Sequence, residues 1–155
     1  MENINKPLLD KQSKPVSVFI SCSTDVEMDE MWSYVKNKKK QRWLFHAIER
    51  TSNKILAFAI GPRTKSTLKK LLDKLSVFKI KDYYTDNWKP YKKLLPSPKH
   101  FIGKENNQSI ERKHLTLRTR IKRLCRKTIC YSKINEMHDA IISLFINKIE
   151  FCRDI

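Results

Sequence analysis

The chain has 155 residues, a formal net charge of +17, a sequence pI of about 9.9 and 40% hydrophobic residues. That length and apolar content suit one globular domain with a single core, while the charge excludes the balance of an ordinary metabolic enzyme and implies a polyanionic partner. No stretch is long and apolar enough for a membrane span and no secretory h-region follows Met1, so the cytoplasm is the expected compartment and no membrane is expected as a partner.

Residues 1–24 read as a flexible leader and residues 25–155 as the folded domain, because the first fifteen residues mix Lys, Asn, Pro and Ser without periodicity. Cys22, Cys125, Cys130 and Cys152 form no CxxC pair and lack a histidine at zinc-finger spacing. They read as reduced, structural thiols.

From Val26 the sequence turns β-like. VEMDEMWSYV, QRWLFHAIER and KILAFAI are short, aromatic or β-branched runs, separated by polar breaks at Lys36 to Lys40 and Thr51 to Asn53. They predict three strands in an antiparallel meander. Arg63 to Leu75 then places Leu68, Leu71, Leu72 and Leu75 at helical spacing, with Thr64 or Ser66 available as cap. KIKDYYTD predicts a fourth strand over residues 79–86, followed by a short helix around Trp88 to Leu95 and a short fifth strand in KHFIGK. Crossovers would make these last two strands parallel neighbours. A long helix is predicted from a cap at Asn106 or Asn107 to about Arg126, its apolar face marked by Ile110, Leu117, Ile121 and Leu124, and a final helix from about Ile134 to Phe151. The order predicts an α/β fold: an RNase H-like mixed sheet of three antiparallel plus parallel strands, flanked by helices.

In a chain this basic, the positions of the few acids are informative. Asp29 sits mid-strand in EMDEMW, where an unpaired carboxylate is expensive unless a metal or cation neutralises it. The ordinary alternative is a solvated strand face, since Asp25, Glu27, Asp29, Met31 and Ser33 alternate to one side. Asp86 ends the fourth strand, at the carboxyl edge where open α/β sheets place ligands, and is also a good cap for the helix from Trp88. Glu111 lies in the first turns of the long basic helix, on a meridian shared with Arg118 and Lys122 and one turn from His114. Its ordinary role is that of a helix N-terminal acid favoured by the dipole.

The strongest signal for a nucleic-acid backbone is the run from Arg112 to Lys133, nine cations with no Asp or Glu between them. Arg112, Arg118, Lys122, Arg123 and Arg126 are the candidate phosphate contacts, guanidinium by bidentate pairing and ammonium as a point charge. The alternative is a solvated helix face. His114 and the tryptophans Trp32, Trp43 and Trp88 are expected to pack before they touch a ligand.

The segments DEMWSYV, QRWLFHAI, YTDNW with Tyr91, and QSIERKHLTLRTRIKRL resemble the insertion-sequence-one family of transposases over about residues 25 to 151. The 24 residues between Asp86 and Glu111 agree with that family's Asp-Asp-Glu signature. The resemblance implies that Asp29, Asp86 and Glu111 form the catalytic and metal-binding triad of an RNase H-like core, which cuts transposon ends and joins the exposed 3′ hydroxyls to target DNA. Two Mg²⁺ ions about 3.5 to 4 Å apart would serve that chemistry, with Mn²⁺ as a substitute. Asp29 would bridge both ions while Asp86 and Glu111 each hold one.

The family's complete transposase carries an upstream zinc-finger and helix-turn-helix region that reads the ends, so this chain is expected to be a downstream reading frame or truncated copy. Its expected partners are double-stranded DNA and either further copies of itself or a fused upstream frame, at the bacterial nucleoid. Two rival readings use the same residues: a non-catalytic basic DNA-binding remnant, and an RNase H-like nuclease that hydrolyses without joining.

Overall fold

A computed structural model describes residues 23–152. The leader expected over 1–24, and Cys22 with it, lies almost wholly outside the described residues, and Thr24 already begins the first strand. Strand β1 is Thr24–Val35, β2 is Asn37–Glu49 and β3 is Ile55–Gly61. Helix α1, Lys65–Leu75, follows, then strand β4, Ile80–Thr85, helix α2, Lys89–Leu94, and strand β5, His100–Ile102. Helices α3, Gln108–Arg120, and α4, Asn135–Phe145, complete the order, the latter continuing as a π-turn over Ile146–Glu150.

The five strands form one sheet in the order β3-β2-β1-β4-β5. β1, β2 and β3 pair antiparallel, whereas β1–β4 and β4–β5 are parallel. This is the mixed, RNase H-like α/β sheet expected from the element order, with both faces covered. Val26, Met28, Phe45 and Ala57 pack with Leu68, Leu71 and Leu75 of α1 and with Tyr91 of α2 on one face. Met31, Leu44, Ile48 and Phe58 pack with Ile110 and Leu117 of α3 and Ile142 of α4 on the other. The period-2 alternation of β1 therefore separates two cores, and the solvated-face alternative for Asp25 to Ser33 fails: Glu27, Met31 and Ser33 are buried beneath α3 and α4.

Thr64 caps α1, its hydroxyl accepting the Thr67 N–H at 3.4 Å. At α3 the capping differs from expectation. Asn107 occupies the cap position without a side-chain bond, and the Glu27 carboxylate on β1 accepts the Ile110 N–H at 3.0 Å instead. An acid from a neighbouring strand thus satisfies an orphan donor at the positive end of the helix. This bond, with Ile110 buried beneath it, fixes the first turn of α3 against β1.

Two further differences concern element length. α3 stops at Arg120 rather than near Arg126; Ile121 turns extended, at φ −110° and ψ 96°, and Lys122–Leu124 forms a separate 3-10 turn. No glycine or proline marks this break, which lets Ile121 and Leu124 enter the core of α3 and α4 while the chain bends back to β1. The expected break at Lys36 to Lys40 is instead the end of a long β1–β2 hairpin, with Lys36 at φ 65° in the turn.

Among the cysteines, Cys125 is half-buried and its thiol donates to the Arg118 carbonyl, whereas Cys130 and Cys152 are exposed free thiols and so have no packing role. No helix among the described residues is long and apolar enough to cross a membrane.

Candidate active site and nucleic-acid interface

The site arises because β1 outruns β4. Their pairing ends at Glu27–Tyr84, and two residues farther along each chain stand Asp29 and Asp86. Among the described residues no strand lies beside it there, and β1 presents an edge at which side chains from both faces can meet. Asp29, Glu30 and Asp86 do so: each offers a carboxylate oxygen within 4.8 Å of the others.

Asp86 keeps its capping role, its Oδ1 accepting the Trp88 N–H at 3.0 Å at the start of α2. Asp29 Oδ1 accepts the Glu30 N–H at 2.8 Å, which leaves Oδ2 toward His114 Nδ1, 3.9 Å away. Glu30 is held from the opposite face: Arg63 Nε donates to Oε1 at 2.8 Å and the buried Tyr91 hydroxyl to Oε2 at 2.8 Å. Arg63 is itself sandwiched against Trp43 and Trp88, its guanidinium 4.8 Å and 4.9 Å from their ring centres, so both tryptophans pack around the site as expected.

The electrostatics leave the cluster short of positive charge. Burial, opposed by the Glu30 N–H bond and reinforced by the negative charges of Glu30, Asp86 and Glu111, pushes the Asp29 carboxyl up to about 7. His114 supplies no compensation: burial, then Arg118 and Arg126, push its imidazole down to about 4. Its Nε2 is buried without a hydrogen-bond partner, and its ring packs 4.8 Å from that of His46, the cross-strand neighbour of Asp29. Burial and then His114 likewise hold His46 far below the usual imidazole range. Of the three acids, Glu30 alone has an Arg or Lys partner among the described residues, Arg63. Hard oxygen donors with unmet negative charge fit a divalent cation such as Mg²⁺.

Of the three acids expected to converge, Asp29 and Asp86 share one compact cluster. Glu111, exposed in the first turn of α3, stands close enough to raise the Asp29 carboxyl but is not one of the tight trio. Glu30 was missed by sequence reasoning because strict alternation sends it to the other face of β1. The adjacent acids in EMDEM were the available signal.

The basic run folds along the same open edge. Beyond the 3-10 turn the chain follows β1: the Tyr34 hydroxyl donates to the Thr128 carbonyl at 3.2 Å, Val35 bridges to Ser132, and the Lys36 N–H donates to the Ser132 carbonyl at 2.8 Å. Arg126 lies 5.0 Å over the Trp32 ring. Half-buried Arg118 has its Nε unpaired, and burial with the nearby Arg126 lowers its pKa. Arg112 and Lys122 are exposed, although Lys122 has left the helical meridian of Glu111 because α3 ends before it. Two of the cations are engaged within the protein: Arg123 donates to Ser132 Oγ at 2.9 Å and Lys113 to Glu150 at 3.0 Å.

Residues 20–152 match the protein family described as IS1 transposase. The chain is 47% identical over 122 residues to the insertion element iso-IS1n protein InsB of Shigella dysenteriae, an alignment covering 79% of this chain and 93% of that protein. It is 43% identical to the IS1 protein InsB of Shigella flexneri, over 78% of this chain and 92% of the relative. Against the IS1 4 protein InsB of Escherichia coli strain K12 the identity is 41%, over 86% and 78% respectively. By these matches, over most of its length, the chain belongs to the IS1 transposase family.

Proposed function

We propose that this transposase cuts DNA at the ends of an insertion sequence and joins the freed 3′ hydroxyl to target DNA, using Asp29, Asp86 and Glu111 to hold Mg²⁺. The observation that carries the reading is the meeting of Asp29 with Asp86 where β4 ends, at a position where burial and like charge push the Asp29 carboxyl up to about 7. When bound, Mg²⁺ supplies positive charge that favours deprotonation of the attacking hydroxyl and neutralises the departing oxyanion.

The chain's own residues do the rest. Asp29, on the central strand, and Asp86, held by the Trp88 N–H, provide the oxygens. Glu111 approaches from α3, whose first turn Glu27 locks against β1. Arg63 and Tyr91 oppose the rise that burial gives the Glu30 carboxyl and hold it turned toward the cluster, which makes Glu30 a supporting acid in this reading. Arg112, Arg118, Lys122 and Arg126 hold phosphates beside the cleaved bond, joined by Arg123 through the guanidinium donors that its bond to Ser132 leaves over. Arg118 and Arg126 both act on His114 beside Asp29, and an anion between them would relieve their mutual repulsion. Recognition of the element's ends falls, in this reading, to a zinc-finger and helix-turn-helix region fused to this chain or acting with it in an oligomer, at the nucleoid of a bacterial cytoplasm.

The test uses the full chain, Mg²⁺ or Mn²⁺, and a duplex oligonucleotide with a recessed 3′ hydroxyl. Joined products should form with the wild type and vanish in Asp29→Asn, Asp86→Asn and Glu111→Gln, with duplex binding retained. Joining that survives Asp29→Asn would overturn the assignment, and hydrolysis without joining would favour a nuclease.

A further inference from the structure

The end of the β1–β2 hairpin has no role in the site described above. Between Glu30 and Glu49 the sequence contains no acidic residue, while Lys36, Lys38, Lys39 and Lys40 crowd into five positions. The strand pairing jumps from Tyr34–Gln41 to Val35–Asn37, which pushes Lys38, Lys39 and Lys40 out of the ladder. All four lysines are exposed, and none forms an ion pair among the described residues. Arg42 nearby is neutralised by Asp139 and fastened to α4. Exposed Lys133 follows Ser132, whose carbonyl takes the Lys36 N–H, so the basic edge segment ends against the hairpin.

Lysines packed together repel one another unless acids lie among them or an anion binds. Here the repulsion is left unrelieved at the end of the same open edge that begins at the carboxylates and carries Arg126 on Trp32. Lys36, in the turn that closes the hairpin at the far end of β1, stands seven residues beyond Asp29. At ~3.3 Å per residue that is roughly 23 Å, or about seven base-pair steps of B-form DNA at ~3.4 Å each.

We infer that the hairpin tip is a second duplex-DNA contact, in which Lys38, Lys39 and Lys40 hold backbone phosphates about seven base pairs from the bond cut at the carboxylates. The inference rests on the proposed function for the position of the cut but not for the contact itself. Lysines, as point charges on flexible stems, follow the backbone and read no base, so the contact is sequence-independent and adds length to the footprint.

Duplex binding by full-length wild type and by the K38A/K39A/K40A variant should be measured by anisotropy from 50 to 200 mM salt, with phosphate-ethylation interference mapped on the same duplex. Three lost contacts, at ~0.9 each in the slope of log affinity against log salt, mean that wild type loses roughly fortyfold more affinity than the variant across that range. Interference about seven base pairs from the cut should disappear in the variant, and a K38R/K39R/K40R variant should restore both. An unchanged salt slope in the alanine variant, or interference that persists at that distance, would overturn the inference. Should Asp29→Asn retain joining while the alanine variant loses the slope, the catalytic assignment falls and the hairpin contact stands.

Discussion

Replacing Asp29 by Asn should make the metal-free protein more stable. In the unfolded chain the Asp29 carboxyl ionises near its ordinary 3.8, whereas in the fold burial and then the surrounding carboxylates hold it protonated to about 7. Between those values the folded state binds more protons than the unfolded one, so stability falls as pH rises and stays reduced above about 7. Asn keeps the size and an oxygen for the Glu30 N–H but has no proton to lose. The displacement from 3.8 to about 7, at ~1.4 kcal/mol per pH unit, sets a ceiling of ~4 kcal/mol. A fifth of the side chain remains in water, and screening brings the expected gain to about 2 kcal/mol, or roughly 4–8 °C in Tm for a chain of this size. Urea unfolding in EDTA from pH 4 to pH 8.5 reads this directly: the two stability curves should meet near pH 4, diverge as pH rises to about 7 and stay apart above it. Added Mg²⁺ should narrow the gap by stabilising only the wild type. A variant equal to or less stable than wild type at pH 8, or a difference that ignores pH, would refute the account of an uncompensated carboxylate cluster. The gain would also show that the site is maintained against stability, as catalytic clusters commonly are.

Removing the Tyr91 hydroxyl by Tyr91→Phe leaves the buried Glu30 carboxylate with Arg63 alone, and should cost about 1–3 kcal/mol in denaturant unfolding at pH 8. That penalty should shrink toward pH 4, where Glu30, already raised by burial, takes up a proton. Leu117→Ala, at a fully buried position between α3 and the sheet, should cost about 2–5 kcal/mol. Because α3 carries Glu111, that variant should also reduce joining at temperatures where it remains folded.

Much of this protein was legible locally. Strand alternation in VEMDEMWSYV and the leucines from Leu68 to Leu75 specify their elements because each pattern repeats within a turn or a pleat. Charge density announced the polyanion, and the spaced motifs around Asp29, Asp86 and Glu111 announced the family. Tertiary structure alone decided which acids meet. Glu30 joins Asp29 and Asp86 only because β4 stops at Thr85 and opens the edge of β1, a matter of relative strand lengths that no residue of EMDEM encodes. Glu27 caps α3 across eighty-three positions of sequence, and Ile121 leaves the helix to reach a core formed with α4, both of them long-range contacts overriding local preference. Periodicity assigns a side chain to a face, whereas burial, pKa and the meeting of charges depend on what the rest of the chain lays against that face.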